Sequence, residues 1–183
     1  MPLMSEQPVE QISQLETVLR QLYGAYLYLR DHDLSTESNT SRLLQEHIPG
    51  YLASRLADEL QELAGVQAGE HVHSGREADT ILEGSQVGYW LFLLAVTNSI
   101  LFDEIAPQVA LLKGFTTQYT EDKIIELRQE CLSLLGTGEH EKIVWGLQLG
   151  FTFVGWACAV AGVSPLAPIE ADMAQMRRKG LVS

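Results

Sequence analysis

The sequence predicts an all-α fold, a helical bundle, and three observations carry that reading. Val9, Ile12, Leu15, Leu19, Leu22 and Tyr26 recur at spacings of three and four residues, the period of one helix face. Leu52, Leu56, Leu60 and Leu63 repeat the pattern as a second stripe. Nowhere does a run alternate apolar and polar residues as a half-buried strand would.

The first stripe places a helix from about Pro8 to Leu29. The polar stretch "DHDLSTESNTS" then breaks the period. Pro49 and Gly50 punctuate the chain before the second leucine stripe, which ends near Gly65. "GVQAGEHVHSGRE" reads as a loop, followed by a long helix from about Ala78 to Phe102. A shorter helix follows around Pro107 to Lys113. Thr120 suits an N-cap, with Glu121 and Asp122 favourably placed against the helix dipole. Helices are expected at about Glu121–Leu135 and Glu141–Val163, and Pro168 begins a short final one.

A chain of 183 residues, 46% hydrophobic and 20% charged, suits one all-α domain over residues 1–183. The net charge of −12 repels a nucleic-acid backbone or an anionic membrane. It repels a polyphosphate too, unless divalent cations or a local basic cluster offset the field. Residues 84–102 and 143–169 are uncharged and long enough to span a bilayer. Gln86, Thr97, Asn98 and Ser99 interrupt the first run, and Gln148, Pro165 and Pro168 the second. Buried bundle helices fit these runs better than membrane spans. Cys131 and Cys158 form no short metal or redox motif and read as core residues in a reducing compartment. MPLMSEQPVEQ has no secretory pattern, so a cytoplasmic location is expected.

An internal echo links "EGSQVGYWLFLLAV", from Glu83, with "WGLQLGFTFVGWACAV", from Trp145. Each follows the tripeptide GEH, at Gly69–His71 and Gly138–His140. Two helical hairpins, within residues 50–110 and 119–163, could be a duplicated unit, the second degenerate, or a chance match between glycine-containing helices.

The chemistry-bearing residues lie in the first of these hairpins. In "RLADELQELAG", residues 55–65, Glu59 borders the leucine stripe and Glu62 follows one turn along the same edge, while Asp58 points away. Asp79, Glu83 and Gln86 head the face of the next helix that continues into Trp90. If the two helices pack antiparallel, four oxygen-bearing side chains meet at the mouth of a bundle. Unpaired anions are costly there, and a divalent cation would resolve the cost, with oxygen donors suiting Mg²⁺ or Mn²⁺. The alternative is that these acids sit on partly solvated helix edges and pair with Arg55 or Arg76.

These motifs resemble those of the all-α nucleoside triphosphate pyrophosphohydrolases, the MazG-like group that includes phosphoribosyl-ATP pyrophosphohydrolase. Arg55 takes the family's basic place, and Asp58, Glu59 and Glu62 read as D-E-x-x-E. Glu83 opens the second motif, and "VGYWLFLLAV" matches the run that follows. Gln86 stands where the family carries aspartate. The resemblance spans about residues 50–110. It implies Mg²⁺- or Mn²⁺-dependent cleavage between the α and β phosphates of a nucleotide or a similar phosphorylated small molecule. It implies Glu59, Glu62 and Glu83 as catalytic metal-holding residues, with Gln86 as a neutral ligand and Asp79 as a substitute anion. Arg55 and Arg76 are the candidate substrate-binding cations. It also implies a homo-oligomer, a dimer, although the echo could supply within one chain the hairpin that smaller relatives take from a partner. The departure at Gln86 leaves open a relative that kept the fold and lost the chemistry.

Other candidates are weaker. His71 and His73, beside Glu70, would need a third metal ligand, and the sequence nominates none. Arg177, Arg178 and Lys179 form the one basic cluster, suited to a helix C-terminus. Tyr23, Tyr26, Tyr28, Trp90 and Trp156 read as packing or surface residues. No P-loop, nucleophile elbow or dinucleotide fingerprint occurs.

Overall fold

The computed structural model describes residues 6–181, with side chains from residue 11 onward, and within them it is all helical. The helices are α1 (Glu6–Asp31), α2 (Asn39–Glu46), α3 (Tyr51–Ala68), α4 (Arg76–Thr97), α5 (Phe102–Ile105), α6 (Pro107–Thr116), α7 (Glu121–Leu135), α8 (His140–Ala161) and α9 (Leu166–Arg178). Leu15, Leu19, Leu22 and Tyr26 bury the α1 stripe, whereas Ile12 at its start is exposed. Val9 lies outside the described side chains. Thr120 caps α7 as expected, its side chain accepting the Lys123 N–H at 3.2 Å.

Several elements depart from the sequence reading: α3 runs past Gly65 to Ala68, the short helix α5 forms where none was read, and two differences bear on the core. Helix α2 grows out of the stretch read as a plain break. Ser38 caps it by accepting the Ser41 N–H, and the Ser41 hydroxyl lies within hydrogen-bonding reach of the Leu29 and His32 carbonyls at the end of α1. Such serines serve equally as turn residues and as caps, so an eight-residue helix beside them leaves little periodic trace. Helix α4 stops at Thr97 rather than Phe102. Asn98 turns its side-chain amide back to the Leu94 carbonyl at 2.8 Å, and Ser99 adopts a positive φ of 56°. From α1, Arg30 donates to the Val96 carbonyl at 2.8 Å, at the helix end, and Tyr23 to that of Ile100 at 2.6 Å, just past it.

Helix α4 runs through the middle of the bundle, against α1, α3, α8 and α9. Its second half is buried nearly all round, and Phe92 packs on Tyr26 and Phe151 at centroid distances of 5.8 and 5.2 Å. Helix α8 is long and apolar enough to cross a membrane by length and composition, with a mean hydropathy of 1.6. Most of that stretch is buried against α4, α6 and α7. The two echoed segments thus form second helices of hairpins, 22 residues each, that pack on one another.

The α6–α8 crossing brings backbone against backbone. A Cβ on Gly155 would overlap the Leu111 carbonyl, and one on Gly114 would overlap the Thr152 carbonyl. Neither obstacle is a flexible side chain that could swing aside. Gly155→Ala should therefore cost about 2–3 kcal/mol of stability in urea unfolding. Gly24→Ala, on the exposed face of α1 with open space around it, should be neutral or stabilising by up to about 1 kcal/mol. Equal effects from the two substitutions would refute the backbone-contact account.

Candidate functional site

Helices α3 and α4 form a hairpin whose loop is tied at both ends. Gly69 closes α3 with a φ of +75°, a conformation favouring glycine. The N–H groups of Glu70 and His71 then both donate to the Gly65 carbonyl, at 2.9 and 3.1 Å. This turns the chain back over α3 and sets His71 against Gly65, where a Cβ would lie 3.2 Å from that of His71. At the other end, the Asp79 carboxylate accepts the N–H groups of His73 and Ser74, both at 2.8 Å. These backbone donors hold the Asp79 carboxyl below the usual carboxylate range.

The hairpin brings Glu59, Glu62 and Glu83 together. Glu59 and Glu83 are each only 7% exposed, and Glu62 stands at the open rim. His71 Nε2 lies 3.5 Å from Glu83 Oε1, and ligand atoms of Glu62, His71 and Glu83 fall within 4.8 Å of one another. Arg55, one turn before Glu59, reaches Glu59 at 3.1 Å and Asp58 at 3.2 Å, with its guanidinium 5.5 Å above the Trp90 ring. Burial first, then the Glu83 and Glu62 carboxyls, push Glu59 up to about 8. Burial, followed by Glu62, raises Glu83 as well. One arginine on one oxygen of Glu59 does not offset a buried position shared with two carboxyls.

Two recesses meet at Arg55. A cleft of about 420 Å³ is lined by Arg55, Asp58, Gln61, Glu62, Glu70 and His71. A cavity of about 580 Å³ lies beside it, with Arg55, Tyr51, Gln86, Tyr89, Trp90 and Asp172 in its wall, and Lys179 at its edge. The Trp90 Nε1–H there is buried without a partner. Asp172 accepts from the Tyr26 hydroxyl at 2.7 Å, and burial pushes its carboxyl up to about 6.

The predicted residues thus divide. Glu59, Glu62, Glu83 and Arg55 converge. Gln86 lines the neighbouring cavity. The oxygens of Asp79 are engaged by its own loop, and Arg76 is exposed and donates to the Gln67 carbonyl at 3.3 Å. The chemistry of the cluster, carboxyls raised by burial and by one another with an imidazole beside them, fits a divalent cation. His71 was present in the sequence as half of a His-x-His pair without a third ligand; the fold supplies carboxylates from two helices. Asp172 of α9 and Lys179 just past its end carried no motif pointing to the hairpin.

The raised Glu59 sets a pH dependence. Its ordinary value is 4.5 and its folded value about 8, so the folded chain keeps a proton that the unfolded chain loses between them. The stability from this group is full below about pH 4.5 and is lost as pH rises through about 8. Metal-free Glu59→Gln should therefore exceed the parent in stability at pH 8 by about 1–3 kcal/mol, the two converging at acid pH. Thermal unfolding across this range checks it; parallel curves would refute the raised carboxyl. Comparison of the chain with protein-family models, curated proteins and solved structures gave no match.

Proposed function

We propose that this protein is a divalent-cation-dependent nucleotide pyrophosphohydrolase, cleaving between the α and β phosphates of a nucleoside triphosphate or a phosphoribosyl-ATP-like substrate. The observation that carries this reading is the convergence of Glu59, Glu62 and Glu83 beside Arg55, on a cleft that shares Arg55 with an aromatic-walled cavity. The resemblance of the α3–α4 motifs to the all-α pyrophosphohydrolases supports it.

Glu59, Glu62 and Glu83 would hold Mg²⁺ or Mn²⁺, which when bound neutralises phosphate charge and acidifies a water. Arg55 offers planar N–H donors to a phosphate oxygen at the junction of the two recesses. Tyr51, Tyr89 and Trp90 present aromatic surface to a base. The same resemblance implies a homo-oligomer, a dimer that size-exclusion chromatography with light scattering would detect.

A second reading, a relative that kept the fold and lost turnover, is favoured by one observation: Gln86 lines the cavity and lies outside the Glu62–His71–Glu83 group. Pyrophosphate release over a nucleotide panel with Mg²⁺ or Mn²⁺ separates the readings. The pyrophosphohydrolase reading expects turnover that Glu83→Gln and Glu59→Ala each lower at least a hundredfold, both variants remaining folded. A ligand at a hundred times its Kd should add about 2.7 kcal/mol to stability. Metal binding without turnover on any nucleotide, with activity appearing in Gln86→Asp, would establish the second reading instead.

A further inference from the structure

We propose that His71 is a metal ligand, and that it tunes this site toward first-row transition cations such as Co²⁺, Zn²⁺ or Mn²⁺ at the expense of Mg²⁺. The inference rests on the reading that the α3–α4 cluster holds a divalent cation, and it names the fourth member of the ligand set. Oxygen-only sets suit Mg²⁺, whereas an imidazole nitrogen favours transition ions.

Three observations support the assignment. First, the Nε2 atom of His71 stands 3.5 Å from Glu83 Oε1, and with Glu62 the ligand atoms gather within 4.8 Å. Ligands sharing a cation at bonds of 2.0–2.2 Å sit about 3–4 Å apart, so a small side-chain adjustment closes the set. Second, Glu83 is buried, and among the described residues it faces carboxyls and His71, with no lysine or arginine paired to it. A buried carboxylate so placed lacks the counter-charge that burial demands. Third, the α4 position one turn after Glu83, from which another oxygen could come, carries Gln86, and that residue lines the neighbouring cavity. The imidazole stands on the loop side of the cluster, held by the paired hydrogen bonds to the Gly65 carbonyl and by Asp79 on the residues that follow.

The test uses the full chain stripped of metal with a chelator, and no nucleotide. Titration calorimetry with Mg²⁺, Mn²⁺, Co²⁺ and Zn²⁺ would compare the parent with His71→Ala and Glu62→Gln, each checked for folding by circular dichroism. His71→Ala should weaken Co²⁺ and Zn²⁺ at least tenfold while leaving Mg²⁺ within about twofold, because a nitrogen donor contributes little to Mg²⁺. Glu62→Gln should weaken every cation. In the Co²⁺-loaded parent, a paramagnetically shifted imidazole resonance should be seen and should vanish in His71→Ala. An unchanged Mg²⁺-to-Co²⁺ affinity ratio in His71→Ala, no shifted imidazole, or no binding of any cation would each overturn the assignment. Cation selectivity lost in His71→Ala, with no pyrophosphate release from the parent, would sink the proposed activity and leave the site standing. Pyrophosphate release driven by Mg²⁺ and indifferent to His71 would do the reverse.

Discussion

Two buried carboxylates on facing helices set the terms for the rest of the hairpin. Glu59 and Glu83 cannot both ionise inside the bundle without a counter-charge, and Arg55 covers only one side of Glu59. Apolar side chains of similar volume would stabilise such a position at least as well. A core built only for stability has no reason to keep acids there. The surrounding devices make sense around that constraint: the doubled hydrogen bond on Gly65 that returns the loop, the Asp79 clamp, and the guanidinium laid over Trp90. Each fixes a group whose charge or donor bears on the carboxylates or on the recess next to them.

The division of labour along α4 follows from the same helix. Its second half is enclosed by α1, α3, α8 and α9, so its axis has little freedom. Its first half carries Asp79, in the first turn where the dipole favours negative charge, and Glu83 one turn further along. Behind it, α8 is held to α6 through glycines that allow backbone contact. Close packing of this kind resists displacement. The acidic cluster is thus mounted on a helix whose far half is locked in the core, as a preorganised site requires.

Much of the fold was legible because it is written in helical period. The leucines of α3 and the uncharged stretches of α4 and α8 announce themselves by spacing and length alone. Helix α2 was not legible, since Ser38 and Ser41 read equally as turn and as cap. At the site, Glu59, Glu62 and Glu83 could be found because their neighbours in the chain carry the helical register across the core. Asp79 shares that register yet turns to the loop, because backbone N–H groups stand closer to it than any cation. His71 could not be weighed from its own segment, since its partners come from α3 and α4 and only the return of the loop brings them within reach. Asp172 and Lys179 lie furthest from the motif in sequence, and nothing local ties α9 to the cavity wall.

Charge balance gives the proposed chemistry its internal logic. With a net charge of −12, the protein repels a polyphosphate before any contact forms. Arg55 and Lys179 are too few to reverse that field, and Arg55 is partly engaged by Asp58 and Glu59. With Glu59, Glu62 and Glu83 all holding the cation, its charge and that of Arg55, paired with Glu59, match theirs. A neutral glutamine at position 86, in place of a further aspartate, keeps the count there. A fourth carboxylate would call for a second cation or a bound proton. On this accounting Gln86 and His71 belong together. The neutral amide lowers the charge of the set, and the imidazole restores the donor that the amide, turned to the cavity, does not supply.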